Sequence, residues 1–120
     1  MKAKKLIDKL NQGVFLLVVE GKRDVAALRN IGITANIVQA NGTPEFIVNK
    51  ITKEFSGLKP VLLFDFDQAG QEKIKQLEPL ILASNVVADT HIRFEFKAIF
   101  NGLHFFEDVD KKLEEIEKEI

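Results

Sequence analysis

Two aspartates two positions apart follow an apolar run in Pro60-Val61-Leu62-Leu63-Phe64-Asp65-Phe66-Asp67-Gln68-Ala69-Gly70. Alternate side chains of an extended strand project to the same side, so Asp65 and Asp67 can offer their carboxylates to one point. Paired hard-oxygen donors suit a divalent cation. A further acid, Glu20, ends a comparable run, Val14-Phe15-Leu16-Leu17-Val18-Val19. Ligands of an open parallel sheet gather at the carboxyl ends of its strands, so the three acids share one rim if the two strands are neighbours. Their mutual repulsion would raise at least one pKa, and a bound cation would relieve it.

The elements that must position these acids alternate along the chain. Apolar Ala3, Leu6, Ile7 and Leu10 among lysines predict an amphipathic helix over 2–10. Strand 14–19 turns at Gly21 into a short helix with Asp24 as its N-cap and Val25, Ala26, Leu28 and Ile31 inward. A strand over 33–38 follows, then a helix with Thr43 as N-cap, Pro44 at its first position and Phe46, Ile47, Ile51 and Phe55 as its apolar stripe. Strand 61–64 leads through the two aspartates, with Gly70 permitting a sharp turn, to a helix over 68–80 whose end is set against Pro79. Residues 85–88 read as a fourth, short strand. Residues 92–100 fit both periods, and a helix capped by Thr90 and stopped by Asn101-Gly102 is favoured. A helix over 108–120 closes the chain. The order predicts an α/β fold, a single domain over 1–120 with a mainly parallel four-stranded sheet, flanking helices and an extra C-terminal helix.

Composition narrows the chemistry. An apolar fraction of 46% with 29% charged residues is that of an ordinary globular chain. No apolar run approaches bilayer length and no signal-peptide pattern opens the chain, so a cytoplasmic protein without membrane contact is expected. The absence of cysteine excludes disulfides, thiolate zinc sites and a cysteine nucleophile. With only His91 and His104 available, a metal would be a hard ion held by oxygen. A net charge of -1 means that a nucleic-acid partner must meet a local basic patch or a metal.

The phrase Val18-Val19-Glu20-Gly21-Lys22-Arg23-Asp24, followed later by Phe64-Asp65-Phe66-Asp67-Gln68-Ala69-Gly70, resembles the toprim domain of topoisomerases, bacterial primases and several nucleases. The phrasing is most similar to the primase and ribosomal-RNA-maturing ribonuclease branches. Length and order resemble the small stand-alone toprim proteins, with a toprim-like (Rossmann-like) core over about residues 12–100. The resemblance implies Glu20 as general acid or base and Asp65 and Asp67 as magnesium ligands, with manganese as a substitute. Glu20 as a further metal ligand stays open. Topoisomerases usually carry a third acid two residues after the pair, where this chain has Ala69, and they use a tyrosine, which this chain lacks. Topoisomerase activity by the chain alone is therefore not expected. The extra regions and cysteine-rich zinc module of primases are also absent.

Magnesium-dependent cleavage of nucleic-acid phosphodiesters, in RNA or DNA, is the function expected. The alternative is a non-catalytic nucleic-acid or ribonucleoprotein accessory module that keeps the metal site, completed by a protein partner or a homodimer. Lys22, His91 and Arg93 are the candidate phosphate contacts, each with solvated charge as the competing reading. Asp65 and Asp67 could instead cap the following helix. Asn41, Gly42 and Thr43 reach the rim but are explained by helix initiation. Arg29 is expected to pack along its helix, His104 to be structural, and the phenylalanines to be mostly core.

Overall fold

The computed structural model describes residues 1–119. Three parallel strands, β1 (Phe15–Val19), β2 (Asn36–Gln39) and β3 (Lys59–Leu62), form a sheet in the order β2-β1-β3. β1 is therefore central, and β1 and β3 are hydrogen-bonded neighbours with Val18 opposite Leu62. The helices are α1 (Lys2–Leu10), α2 (Lys22–Asn30), α3 (Pro44–Asn49), α4 (Gln68–Ala83), α5 (Ile92–Ile99) and α6 (Val109–Lys118). None of them is long and apolar enough to cross a membrane.

Strand residues alternate between two apolar layers, and both layers are buried. Leu17, Val19, Val61 and Leu63 meet α1, α2, α5 and the start of α6 on one face, through residues such as Leu10, Leu28, Phe96, Phe100 and Val109. Leu16, Val18, Leu62 and Phe64 meet α3 and α4 on the other, through Ile47, Ile51, Leu77 and Ile81. Helices on both faces are why β1 and β3 read as continuous apolar runs rather than alternating ones.

The sheet has three strands, not four. Val86 N donates back to Ile81 O at 3.3 Å, closing α4, and Asn85 takes a left-handed conformation with φ 62°. The backbone is thus committed to the helix end until Asp89, where a single parallel bridge to Val61 forms. Two bonds make it: Asp89 N donates to Pro60 O at 2.7 Å, and Leu62 N donates to Asp89 O at 3.0 Å. Val87 projects to solvent with 67% exposure.

Several helix ends also differ from expectation. α2 begins one turn earlier than its expected cap, so Gly21 is the N-cap and Asp24 lies inside, its Oδ2 accepting Gly21 N at 3.1 Å. Thr43 Oγ1 does accept Phe46 N at 3.2 Å, as expected, but Phe46 itself is 60% exposed. After Asn49 the helix widens into a π stretch over Lys50–Glu54 that keeps Ile51 buried. α4 runs through Pro79, which lies on an exposed side where water can replace the lost backbone partner. Residues 92–99 are helical, but His91 rather than Thr90 is the N-cap, and Asp89 Oδ1 accepts both His91 N and Ile92 N at 2.8 Å just ahead of the helix. The last helix ends at Lys118, and Ile120 lies outside the described residues.

Candidate functional site

The adjacency of β1 and β3 brings Glu20 and the Asp65-Phe66-Asp67 turn to one rim. Leu63 N donates to Val18 O at 2.8 Å, so the two strands are still paired one or two residues before the acids appear. Glu20, Asp24 and Asp65 line an open cleft of about 490 Å³. Lys22 and Arg23, both exposed, stand at its mouth, and Phe105 and Glu107 form the facing wall.

Each acid is held differently. Asp67 Oδ1 accepts Gly70 N at 2.8 Å and caps α4, so the helix-capping reading holds for this residue while its charge still faces Glu20. Asp65 does not cap the helix. Its Oδ1 accepts Phe106 N at 2.9 Å, from the short 3-10 turn Phe106–Asp108 that precedes α6. Phe66 N donates to His104 O at 3.0 Å, so the segment 104–106 is laced along the acidic turn.

Burial pushes the Glu20 carboxyl above its ordinary value of 4.5; the charges of Asp65, Asp67 and Asp24 push it further, and Lys73 partly opposes them. Burial likewise raises Asp65 above 3.8, against the stabilising Phe106 amide, and the charges of Asp24, Asp67 and Glu107 add to the rise. Asp24 is raised chiefly by burial, opposed by the Gly21 amide and reinforced by Glu107. Desolvation combined with like charge is a pattern found where carboxylates are put to chemical use.

Gly70 is inside α4 rather than at a turn requiring left-handed backbone. A Cβ there would collide with the Asp65 carbonyl oxygen and stand 2.8 Å from the Asp65 carbonyl carbon. Glycine is required because the first turn of α4 sits directly on the backbone of the acidic turn.

Arg93, a candidate phosphate contact, does not line the acidic cleft. It is 3% exposed; its Nε donates to Phe64 O at 2.6 Å and its Nη2 to Asp65 O at 2.7 Å. Its guanidinium stacks 4.2 Å above the Phe66 ring, and burial lowers its pKa while Asp65 and Asp67 hold it up. It orients the acidic turn from behind. His91 is exposed ahead of α5 and does not line the acidic cleft, whereas Lys22 does. Arg29, expected to pack along its helix, instead reaches past the helix end: its Nη1 donates to Ile33 O and Ala35 O. His104 is exposed, with its backbone carbonyl in use.

Residues not singled out from the sequence complete the site. Asp24 was visible in the Glu-Gly-Lys-Arg-Asp phrase but read as a cap. Lys73, whose Nζ donates to Ala40 O at 3.1 Å, follows Gly70 by three residues and so returns to the rim one helical turn later. Phe105 and Glu107 carried no local signal, because they reach the cleft from a segment forty residues beyond the aspartates.

The donor set is entirely hard oxygen, which fits magnesium or manganese in kind. Among the described residues no group of three or more acids or histidines encloses a metal position.

Fold and rim define the class: a parallel α/β domain with an acid-lined cleft at the carboxyl ends of its central strand β1 and the neighbouring β3. No protein-family model matches the sequence. A UPF0292 protein of Thermococcus onnurineus is 33% identical over 94 residues, covering 78% of this chain and 69% of that protein. The UPF0292 protein of Pyrococcus horikoshii is 33% identical over 94 residues, with 78% and 70% covered. The chain belongs to the UPF0292 family. A solved structure of a protein from Aquifex aeolicus superposes with a TM-score of 0.70 at 26% identity, covering 88% of this chain and 95% of that one.

Proposed function

We propose that this chain is a toprim-like domain that cleaves nucleic-acid phosphodiesters with the help of magnesium. The observation that carries the reading is the convergence of Glu20, Asp65 and Asp67 on the rim of neighbouring strands, with Glu20 raised by burial and by both aspartates. Asp65 and Asp67 would hold the ion, each with one carboxylate oxygen engaged by a backbone amide and the other left for a ligand. When bound, magnesium supplies charge neutralisation at the phosphate oxygens. Glu20, its carboxyl raised by burial and by the neighbouring carboxylates, takes the proton of an attacking water and returns one to the leaving oxygen. Lys22 at the mouth of the cleft steadies a neighbouring phosphate.

A second reading is an accessory module that binds nucleic acid through the metal without cleaving it. The openness of the acid-rich cleft favours it. Labelled single-stranded DNA, duplex DNA and structured RNA, each incubated with the protein in magnesium, manganese or chelator, separate the two. Metal-dependent cleavage lost in Glu20→Gln and Asp67→Asn supports the nuclease; Asn can keep the cap bond to Gly70, so the fold is retained. Cleavage that survives both substitutions refutes it, and metal-sensitive binding without cleavage assigns the accessory role.

A further inference from the structure

We infer that Phe105 is a stacking platform for an unpaired base, so that the ligand of the acidic cleft is a single-stranded nucleic acid. The inference rests on the reading of the cleft as a phosphodiester site.

Phe105 departs from the core role expected of the phenylalanines. It lies beside buried Phe106 and close to buried Leu103, yet it is 38% exposed on the cleft wall. Its backbone cannot simply fold the ring inward. His104 O accepts Phe66 N and Phe106 N donates to Asp65 Oδ1, so the residues on both sides of Phe105 are tied to the acidic turn. The His104 ring meets it edge-on, 4.6 Å between centroids and 82° between planes, which supports the ring from one side. The other exposed phenylalanines do not share the cleft: Phe46 lies against β2, and Phe94 packs edge-on against Phe66.

The charge of the cleft explains why an aromatic contact is needed there. Glu20, Asp24, Asp65 and Glu107 line its walls with Lys22 and Arg23, and beside it the opposite charges of Asp67 and Lys73 act on Glu20 and offset one another. Four carboxylates against two cations repel a phosphate chain, and one divalent cation brings the balance only to neutral. The attraction for phosphates that dominates most nucleic-acid binding is therefore weak at this site. Base stacking on an aromatic face does not depend on that charge and tolerates any base. Bases within a duplex are already stacked on their neighbours, so only an unpaired base can take the Phe105 face.

The test uses the full chain with fluorescein-labelled mixed-sequence oligonucleotides, single-stranded DNA, single-stranded RNA and the matching duplexes, titrated by anisotropy in calcium and in chelator. Phe105→Ala is expected to weaken single-strand binding about 10-fold and leave duplex binding unchanged. Phe105→Trp is expected to keep single-strand affinity. Its indole, alone in a chain without tryptophan, should be quenched by single strands and not by duplex. Comparison of the DNA and RNA arms identifies which sugar the site accepts. Unchanged single-strand affinity in Phe105→Ala overturns the inference, as does equal loss on duplex or no single-strand binding by the unsubstituted protein. Cleavage in magnesium, followed in parallel, separates this outcome from failure of the nuclease reading. Phe105-dependent binding without cleavage refutes the nuclease alone, and cleavage with Phe105-independent binding refutes the platform alone.

Discussion

Replacing Gly70 by alanine sets two effects of opposite sign against each other. Alanine in a helix interior is favoured over glycine by about 1 kcal/mol, so propensity alone makes Gly70→Ala stabilising. The new methyl group would instead run into backbone, with the Asp65 carbonyl carbon at 2.8 Å and the Asp65 nitrogen at 3.0 Å. Comfortable carbon contacts begin near 3.5 Å, and backbone cannot step aside as a flexible side chain can. Overpacking of this kind costs about 1–3 kcal/mol. Separating α4 from the acidic turn also strains the cap from Asp67 Oδ1 to Gly70 N, a bond of a type worth about 1 kcal/mol. Sterics and cap together exceed propensity, and the net expectation is a loss of about 2 kcal/mol. Urea unfolding followed by far-ultraviolet circular dichroism should show the midpoint falling by about 1 M. A Gly70→Ala protein as stable as the original, or more so, would refute the claim that close approach dictates this glycine.

Arg93→Lys should destabilise by about 2–4 kcal/mol in the same assay, because an ammonium cannot fork to Phe64 O and Asp65 O while covering the Phe66 ring. Asp89→Ala should cost about 1–2 kcal/mol through loss of two amide bonds at the start of α5, whereas Thr90→Ala should be close to neutral by the same unfolding measurement. Glu20, Asp24 and Asp65 all have raised pKa values in the folded protein, so between their ordinary values of 3.8–4.5 and the raised ones the folded state binds more protons than the unfolded state. Their contribution to stability is therefore greatest at acid pH and declines as pH rises through the folded values. Glu20→Gln should make the unfolding midpoint less sensitive to pH above 4.5 and raise it at pH 7; an identical pH profile for the two proteins would count against the coupling.

Much of the architecture could be read locally. Apolar runs identified β1 and β3 as strands of a parallel sheet, and the 3.6-residue pattern of α1 and α6 placed those helices within a residue or two. The fourth strand failed because Val86 and Asn85 are drawn into the closing turn of α4, a competition between helix end and strand that residue type does not reveal. Asp89 rather than Thr90 serves the amides at the start of α5, because the Asp89 backbone bridges Pro60 and Leu62 and its carboxylate accepts His91 N and Ile92 N. Among the proposed contacts, Lys22 reached the cleft and Arg93 did not. A strand-end arginine looks the same in sequence whether it faces a ligand or a pair of buried carbonyls.

Residue type and spacing alone determined the presence of two acidic strand ends, the hard-oxygen character of the donors and the α/β alternation, because these follow from side-chain chemistry and short-range periodicity. Only the tertiary structure decided the rest. The order β2-β1-β3 placed Glu20 beside Asp65 and Asp67, and the return of residues 104–107 supplied Phe105, Glu107 and the amide that holds Asp65. Those contacts join residues about forty positions apart or more, and no local pattern encodes a proximity that arises from packing two faces of a sheet at once.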